Sequence, residues 1–260
     1  MNAPTPSFLP VCEPVDPDRR FGGIARLYGT EGLARLRAAR VAIVGVGGVG
    51  SWVAEGCARS GVGAITLIDL DHVSESNINR QVHALEDTIG AAKVRVMADR
   101  IHAIDPACTV DVVEDFVDGD NVAALLPAGR FDMVVDAADD VRAKIALVEH
   151  CRASGLRAIT VGGAGGRTDP TRVRVADLAH TVNEAMLAKV RKTLRQQRGF
   201  PRDTAQAFGI RAVYSDEPEG ERAGLSGLNC AGYGSTVAVT AVFGFVAAGL
   251  VVETIARGRD

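Results

Sequence analysis

The sequence contains few cysteines, and no two of them form a C-x-x-C pair. The five are scattered through 260 residues, at Cys12, Cys57, Cys108, Cys151 and Cys230. This odd count without regular spacing predicts a reducing, cytoplasmic location and argues against a four-cysteine zinc site. Cys230 has no adjacent basic residue to lower the pKa of its thiol, so we interpret it as a small buried residue rather than a nucleophile.

The chain also lacks a strong charge imbalance and a long apolar run. Its formal net charge of −3 argues against a generally cationic nucleic-acid binder but leaves a local basic patch open. Residues 237–252 carry no charge, yet this run is shorter than the roughly 18 to 20 residues that a membrane-spanning helix needs. We therefore favour a buried helix over residues 236–255 rather than a membrane anchor.

Residues 1–18 are rich in proline and polar side chains and lack the apolar core of a secretory signal. We predict a disordered leader there. The remaining residues, 19–260, are long and apolar enough to form one domain around a full core. Within it, residues 203–227 are rich in glycine and acids, and we expect them to form a mobile surface loop.

A glycine-rich turn lies between a predicted strand and a predicted helix. The buried run 41–44 leads into Gly45-Val46-Gly47-Gly48-Val49-Gly50, which fits G-x-G-x-x-G. Glycines let the backbone approach a phosphate closely, and the helix amino end that follows favours negative charge. A second strand, 64–68, ends in Asp69, where an acid can accept hydrogen bonds from ribose hydroxyls. The pattern predicts a nucleotide-binding, doubly wound, Rossmann-like α/β sheet of mostly parallel strands.

Polar residues just beyond Asp69 narrow the choice of nucleotide. A dehydrogenase needs only the one acid, whereas an enzyme that cleaves ATP between its α- and β-phosphates needs amides and an arginine to hold the leaving pyrophosphate. Lys93 lies in the first turn of a helix predicted over 90–104, where the helix dipole disfavours a cation, so some other interaction must account for its position. The candidate residues of this stretch are Asp71, Asn77, Arg80, Gln81 and Lys93.

Acidic residues follow the fourth predicted strand, 131–135. Asp136, Asp139 and Asp140 come directly after it, at the sheet edge where doubly wound folds bind ligands. A carboxylate there can hold Mg²⁺ through one or two contacts while phosphate oxygens complete the coordination. The alternative is that Asp139 or Asp140 only caps the helix predicted over 141–154.

The run 69–81 resembles the E1-like family, the adenylating enzymes related to ThiF, MoeB and the ubiquitin activators. Within that family the chain is most similar to the tRNA threonylcarbamoyladenosine dehydratases, chiefly around residues 20–29 and 162–234. The resemblance implies ATP and Mg²⁺ as cofactors, with Asp139 as the metal contact and Arg80, Lys93 and Asp139 as the catalytic residues. It implies nucleotide contacts at Gly45, Gly47, Gly48, Asp69, Asp71, Asn77, Arg80, Gln81, Lys93 and Asp136.

The resemblance also implies a homodimer. Related enzymes begin with an R-Y/F-x-R pattern whose last arginine reaches the ATP of the partner subunit. Here Arg20-Phe21-Gly22-Gly23 has glycine at that last position, so Arg20 or Arg26 is the candidate for this role. The alternative is that both are solvated surface arginines.

Residues 180–202 carry a concentrated stripe of positive charge. From charge alone, RNA phosphates and solvent are equally good partners for it, and a membrane-surface helix is a third interpretation. The resemblance favours RNA, with no DNA partner expected. The predicted RNA-binding residues are Lys189, Arg191, Lys192, Arg195 and Arg198.

The function that the resemblance implies is ATP-dependent cyclisation, with loss of water, of the threonylcarbamoyl group on adenosine 37 of tRNA. Residues 40–162 would bind the nucleotide, and residues 163–260 would form the acceptor site and the dimer surface. One alternative is an activator of a sulfur-carrier or ubiquitin-like protein, although the cysteine pairs of zinc-containing relatives are missing. The other is an NAD-binding oxidoreductase or a nucleotide sensor. Assistance by sulfur-transfer proteins is left open.

Overall fold

The computed structural model describes residues 16–218 and 234–258. The strands are β1 (Arg40–Val44), β2 (Ala64–Ile68), β3 (Thr109–Val113), β4 (Met133–Asp136), β5 (Ala158–Val161), β6 (Val173–Asp177) and β7 (Arg211–Ser215). The α-helices are α1 (Pro17–Ala38), α2 (Gly50–Arg59), α3 (Lys93–Ile104), α4 (Val122–Leu125), α5 (Val141–Ser154), α6 (Ala185–Gln197) and α7 (Val237–Arg257).

The seven strands form one sheet in the order β3-β2-β1-β4-β5-β7-β6. Every neighbouring pair is parallel except β6 and β7, which pair antiparallel. Strands β2 and β3 follow β1 on one side of it, and β4 and the later strands lie on its other side, so the order of strand addition reverses between β1 and β4. Doubly wound folds bind ligands at such a switch point. The predicted mostly parallel Rossmann-like fold is confirmed.

Helices cover both faces of the sheet. On one face, Ile43 of β1 shares a core cluster with Val53 of α2, Met97 of α3 and Phe243 of α7. On the other face, the alternate residues of β1 pack with α4 and α5, and α6 lies beyond them over β7. The central strands are buried on both sides, which explains their continuous apolar runs.

Helix α7 packs closely against α2, as expected for a core helix. A Cβ added at Gly244 would lie 2.4 Å from the Cβ of Trp52, and one at Gly56 would lie 2.7 Å from the Cβ of Ala248. By length and composition α7 is apolar enough to cross a membrane, but 56 % of its most apolar window is buried inside the fold. Two large apolar side chains, Val237 and Phe245, remain exposed on it.

The prediction of a mobile loop over residues 203–227 is wrong for residues 211–215. These residues form β7, which lies between β5 and β6 and is buried from Ala212 to Ser215. Because the strand is short and pairs in parallel with a distant segment, local composition conceals it. Residues 219–227, and Cys230 beyond them, lie outside the described residues.

At the amino end, α1 begins at Pro17 with Asp16 as its N-cap, so the last two residues of the predicted leader are helical. Residues 1–15 lie outside the described part. Gly29, with a φ of 78°, interrupts the regular helical backbone of α1.

Candidate active site

The glycine turn closes tightly between β1 and α2. Gly45 has a φ of 83°, and its N–H donates to the carbonyl of Ile68 at 2.9 Å, which ties the turn to β2. At Gly50 an added Cβ would lie 1.7 Å from the carbonyl oxygen of Gly45, so only glycine fits. At Gly47, by contrast, no atom lies within 4 Å of the added Cβ. Helix α2 starts without a side-chain cap, which leaves amino-end N–H groups for an anion.

This difference gives a matched pair of variants. Gly50→Ala is expected to disrupt the turn and lower the melting temperature by several degrees, because backbone must move to admit the methyl group. Gly47→Ala is expected to keep the wild-type melting temperature but to weaken ATP binding, because its methyl group would enter the space open to phosphates. Thermal melts and calorimetric titration with ATP measure both effects. Equal loss of stability in the two variants would contradict this assignment.

Asp69 links the glycine turn to the end of β2 through hydrogen bonds. Its Oδ2 accepts from the N–H of Val46 at 2.6 Å, and its Oδ1 accepts from the N–H of Asp71 at 2.8 Å. Burial raises the pKa of Asp69, while the nearby Lys93 and the two backbone N–H groups oppose that rise. Each carboxylate oxygen keeps a second lone pair, so Asp69 can still accept from ribose hydroxyls.

A hollow of about 410 Å³ opens at this carboxyl edge of the sheet. It brings together Gly45, Asp69, Asp71 and Asp139, which the sequence analysis selected. Sequence reasoning missed the segment after β3, although β3 pairs with β2 and so must end at the same edge. The lining residues of this segment are Asp115, Phe116 and Asp118, while Asp140 and Arg142 line the hollow from the start of α5. Phe116 is 61 % exposed and offers an aromatic face that could stack on a base.

Lys93 lies beside this hollow, at the first residue of α3. Its side chain is buried, and its Nζ forms an ion pair with Asp71 at 2.7 Å. Its backbone N–H donates to the carbonyl of Asp71 at 3.0 Å, so the two residues are joined twice. A cation held at a helix amino end in this way can turn from the carboxylate to a phosphate.

Arg80 packs on the glycine turn. A Cβ added at Gly48 would lie 3.3 Å from the Cγ and Cδ of Arg80. The guanidinium donates to the carbonyl of Ser76 at 2.6 Å and to the side chain of Asn79 at 2.9 Å. Among the described residues it forms no ion pair with a carboxylate, which leaves its charge available to an anion. Asn77 stabilises the same short turn, because its Oδ1 accepts from the N–H of Ser74 at 3.1 Å.

Gln81 and His83 are buried just beyond Arg80. The Oε1 of Gln81 and both ring nitrogens of His83 have no hydrogen-bond partner among the described residues. Burial, together with the charges of Lys93 and Arg100, lowers the pKa of His83 to about 4. His83 is therefore neutral at physiological pH, and sequence reasoning did not select it.

Asp136 at the end of β4, and Asp139 and Asp140 just beyond it, have three different environments. Asp140 is the N-cap of α5, with its Oδ1 accepting from the N–H of Ala143 at 2.9 Å. Asp136 is buried and does not line the hollow; it pairs with Lys144 at 3.1 Å. Asp139 is exposed at the hollow, and no hydrogen bond to its side chain is present in the described residues. A single unpaired carboxylate fits Mg²⁺, which takes its other ligands from phosphates and water.

Arg20 and Arg26 lie away from this hollow within their own chain. Arg20 donates to the carbonyl of Ile104, the last residue of α3, and Lys93 is the first. A helix of 12 residues is about 18 Å long, which separates Arg20 from the site by that distance. Arg26 is exposed on α1. A role in the site of a second subunit stays a prediction for both.

The basic stripe on α6 divides into two groups. Arg191, Lys192 and Arg195 line a second hollow, of about 560 Å³, together with Arg202. Arg195 is held in place by the carbonyls of Ala179 and Pro201, each at 3.3 Å. Lys189 does not line this hollow, and neither does Arg198, which pairs with Glu149 at 3.4 Å.

The cysteines in the described part of the chain are unsuited to nucleophilic chemistry. Burial raises the pKa of Cys57 and of Cys151 to about 12, and that of Cys108 to about 11. These thiols stay protonated at physiological pH, so they behave as small core residues. Cys12 and Cys230 lie outside the described residues.

Comparison with known proteins gives matches over most of the chain. The tRNA threonylcarbamoyladenosine dehydratase of Haemophilus influenzae is 44 % identical over 251 residues, covering 94 % of this chain and 95 % of that protein. A crystal structure of the Escherichia coli tRNA N6-threonylcarbamoyladenosine dehydratase, TcdA, in complex with ATP superposes with a TM-score of 0.85. It is 45 % identical and covers 92 % of this chain and 94 % of that one.

More distant matches cover less of the chain. The molybdopterin-synthase adenylyltransferase of Escherichia coli is 35 % identical over 131 residues, which is 50 % of this chain and 52 % of that protein. The ThiF family profile, however, matches residues 22–258. The similarity thus extends along nearly the whole sequence, and the chain belongs to the ThiF family.

Proposed function

We propose that this protein is an ATP-dependent adenylating enzyme that cyclises N6-threonylcarbamoyladenosine at position 37 of tRNA. The observation that carries the proposal is the full-length similarity, at 44 % identity, to a protein named for that dehydration. A structural neighbour with 45 % identity is described as a complex with ATP. The hollow at the carboxyl edge of β1, β2 and β4 is the place where this chain would bind the same nucleotide.

The reaction has two steps in this proposal. A carboxylate oxygen of the threonylcarbamoyl group attacks the α-phosphorus of ATP, and pyrophosphate leaves. The carbamoyl part of the same group then attacks the activated carbonyl, loses a proton and expels AMP. The tRNA thereby loses one water, and the oxygen of that water leaves on AMP. Asp69 holds the ribose, while Arg80 and Lys93 stabilise the charge that builds on the leaving pyrophosphate.

Mg²⁺ belongs to the same proposal. Asp139 would hold it, with Asp136 supporting the turn that carries Asp139. The ion would neutralise phosphate charge, a contribution that complements the two cations. Asn77 would keep the Arg80 turn in place, and Gln81 would contact the nucleotide.

The proposed assembly is a cytoplasmic homodimer. The exposed Val237 and Phe245 give α7 an apolar face that a second copy could cover, and Arg20 or Arg26 would reach the neighbouring site. The cytoplasm is where ATP and tRNA meet. A sulfur-transfer partner stays a prediction, which copurification of this protein with a cysteine desulfurase system would test.

The tRNA would dock on α6. Arg191, Lys192 and Arg195 converge on one hollow, and the anchored guanidinium of Arg195 is preorganised for phosphate. Lys189 and Arg198 would contribute weaker, longer-range attraction.

Reversing charge in this hollow is therefore expected to weaken tRNA binding strongly. Lys192→Glu should raise the Kd for tRNA by about tenfold at low salt and flatten its salt dependence, because a phosphate contact is lost. Arg198→Glu should have a smaller effect, since Glu149 already neutralises Arg198. Filter binding across a salt series measures both. Equal effects of the two substitutions would argue against a specific role for the hollow.

The direct test of the proposed function is mass analysis of tRNA nucleosides after incubation with the purified protein and ATP. Conversion of threonylcarbamoyladenosine to a product lighter by one water is expected. Pyrophosphate exchange driven by a small carrier protein instead of tRNA would favour the sulfur-carrier or ubiquitin-like alternative. Tight NAD binding without exchange would favour the oxidoreductase or sensor alternative.

A further inference from the structure

A buried ion pair lies directly beneath the acids that follow β4. Lys144 is fully buried on α5, and Asp136, the last residue of β4, is 2 % exposed. The Nζ of Lys144 lies 3.1 Å from the Oδ1 of Asp136 and 3.4 Å from its carbonyl oxygen. An ion pair removed from water is weak support for stability, because both charges lose hydration. Its presence here therefore calls for another explanation.

Both side-chain oxygens of Asp136 accept hydrogen bonds from other residues of the chain. Oδ2 accepts from the hydroxyl of Thr160 on β5 at 2.6 Å, and Oδ1 also accepts from the N–H of Ala138 at 3.2 Å. The carboxylate thus joins β4, β5 and α5 at one point. The turn that it holds, residues 137–140, contains Asp139 and ends at the start of α5.

The glycine turn rests on the same short segment. A Cβ added at Gly45 would lie 2.7 Å from the carbonyl oxygen of Ala137, so the two turns are in close contact. Residues 137–140 therefore border the glycine turn and carry Asp139 beside it. Asp139 and Asp140 both line the hollow, but the Oδ1 of Asp140 caps α5, so Asp139 is the acid there whose side chain accepts no hydrogen bond from the described residues.

We propose that Lys144 is a positioning residue, which binds Asp136 so that Asp139 is oriented to hold the metal of the nucleotide. This inference rests on the proposed function, because it concerns the Mg²⁺ of an ATP complex. Lys144 itself touches neither nucleotide nor metal. Its amine fixes the end of β4 against α5, and the resulting turn sets the direction of the Asp139 carboxylate.

The test compares ATP affinity with and without Mg²⁺ by calorimetric titration of the full chain. In wild type, Mg²⁺ is expected to tighten ATP binding. In Lys144→Met this advantage should fall by about tenfold, as for other groups that orient metal ligands, while the Kd for metal-free ATP stays unchanged. A merely structural role would weaken both affinities together, and that result would overturn the proposal.

A second variant covers the case in which Lys144→Met does not fold, since it leaves a buried carboxylate unpaired. Asp136→Asn combined with Lys144→Met removes both charges and is expected to recover the melting temperature. The Mg²⁺ advantage should stay reduced in it, because the tie between β4 and α5 is still missing. Full recovery of that advantage would overturn the positioning role. Failure of wild type to bind ATP at all would instead count against the proposed function.

Discussion

Arg80→Ala is expected to lower ATP–pyrophosphate exchange by about 10²–10³-fold while the protein remains folded. The Cγ and Cδ of Arg80 pack against Gly48 of the glycine turn, and no described carboxylate forms an ion pair with its guanidinium. Its positive charge is therefore available to the pyrophosphate as the bond to the α-phosphorus breaks. Exchange of labelled pyrophosphate into ATP, measured with saturating tRNA, gives the rate.

Arg130→Ala is the matched control for this substitution. Arg130 is an exposed arginine that pairs with Asp111 at 3.2 Å, near the amino end of β4 and away from the hollow. Its loss should leave exchange at the wild-type rate, since a surface ion pair contributes little. Undiminished exchange in folded Arg80→Ala would refute the role of Arg80.

Asp139→Asn is expected to abolish most of the activity without loss of stability. The carboxylate is exposed at the hollow, where it would hold Mg²⁺, and the amide lacks the negative charge that the ion requires. We expect a fall in exchange of about 10²-fold or more at physiological Mg²⁺. Part of this loss should be recovered at high Mg²⁺ concentration.

Asp140→Ala should have the opposite profile. It removes the N-cap of α5, in which Oδ1 accepts from the N–H of Ala143 at 2.9 Å. The expected cost is about 1 kcal/mol of unfolding free energy, with most of the exchange activity retained. Urea unfolding and exchange assays on both variants separate the two roles. A stability loss in Asp139→Asn with unchanged exchange would reverse the assignment of the two acids.

Local sequence patterns predicted the first half of the fold well. The glycine turn, the strand ending in Asp69 and the cation at the start of α3 are short-range features, and each lies where its pattern indicated. The acids after β4 were also found at the expected edge. Sequence could not decide which of them caps α5, because both neighbours suit an N-cap and only the backbone geometry selects Asp140.

Features that depend on distant contacts were not predicted. Strand β7 is short, and it is recognisable as a strand only through its pairing with β5 and β6. Phe116 belongs to a loop without periodicity, which reaches the hollow because β3 pairs with β2. In the sequence, nothing distinguishes Lys144 from an ordinary helix residue. Only the structure shows that it is buried together with its partner Asp136, eight positions earlier.

The most direct measurement of the central claim follows the fate of ATP. Purified protein is mixed with ATP and Mg²⁺, with or without tRNA that carries threonylcarbamoyladenosine, and the nucleotide products are separated. The account predicts AMP and pyrophosphate in amounts that match the dehydrated nucleoside, and only when that tRNA is present. Release of ADP and phosphate, or formation of AMP at the same rate with and without the tRNA, would contradict it.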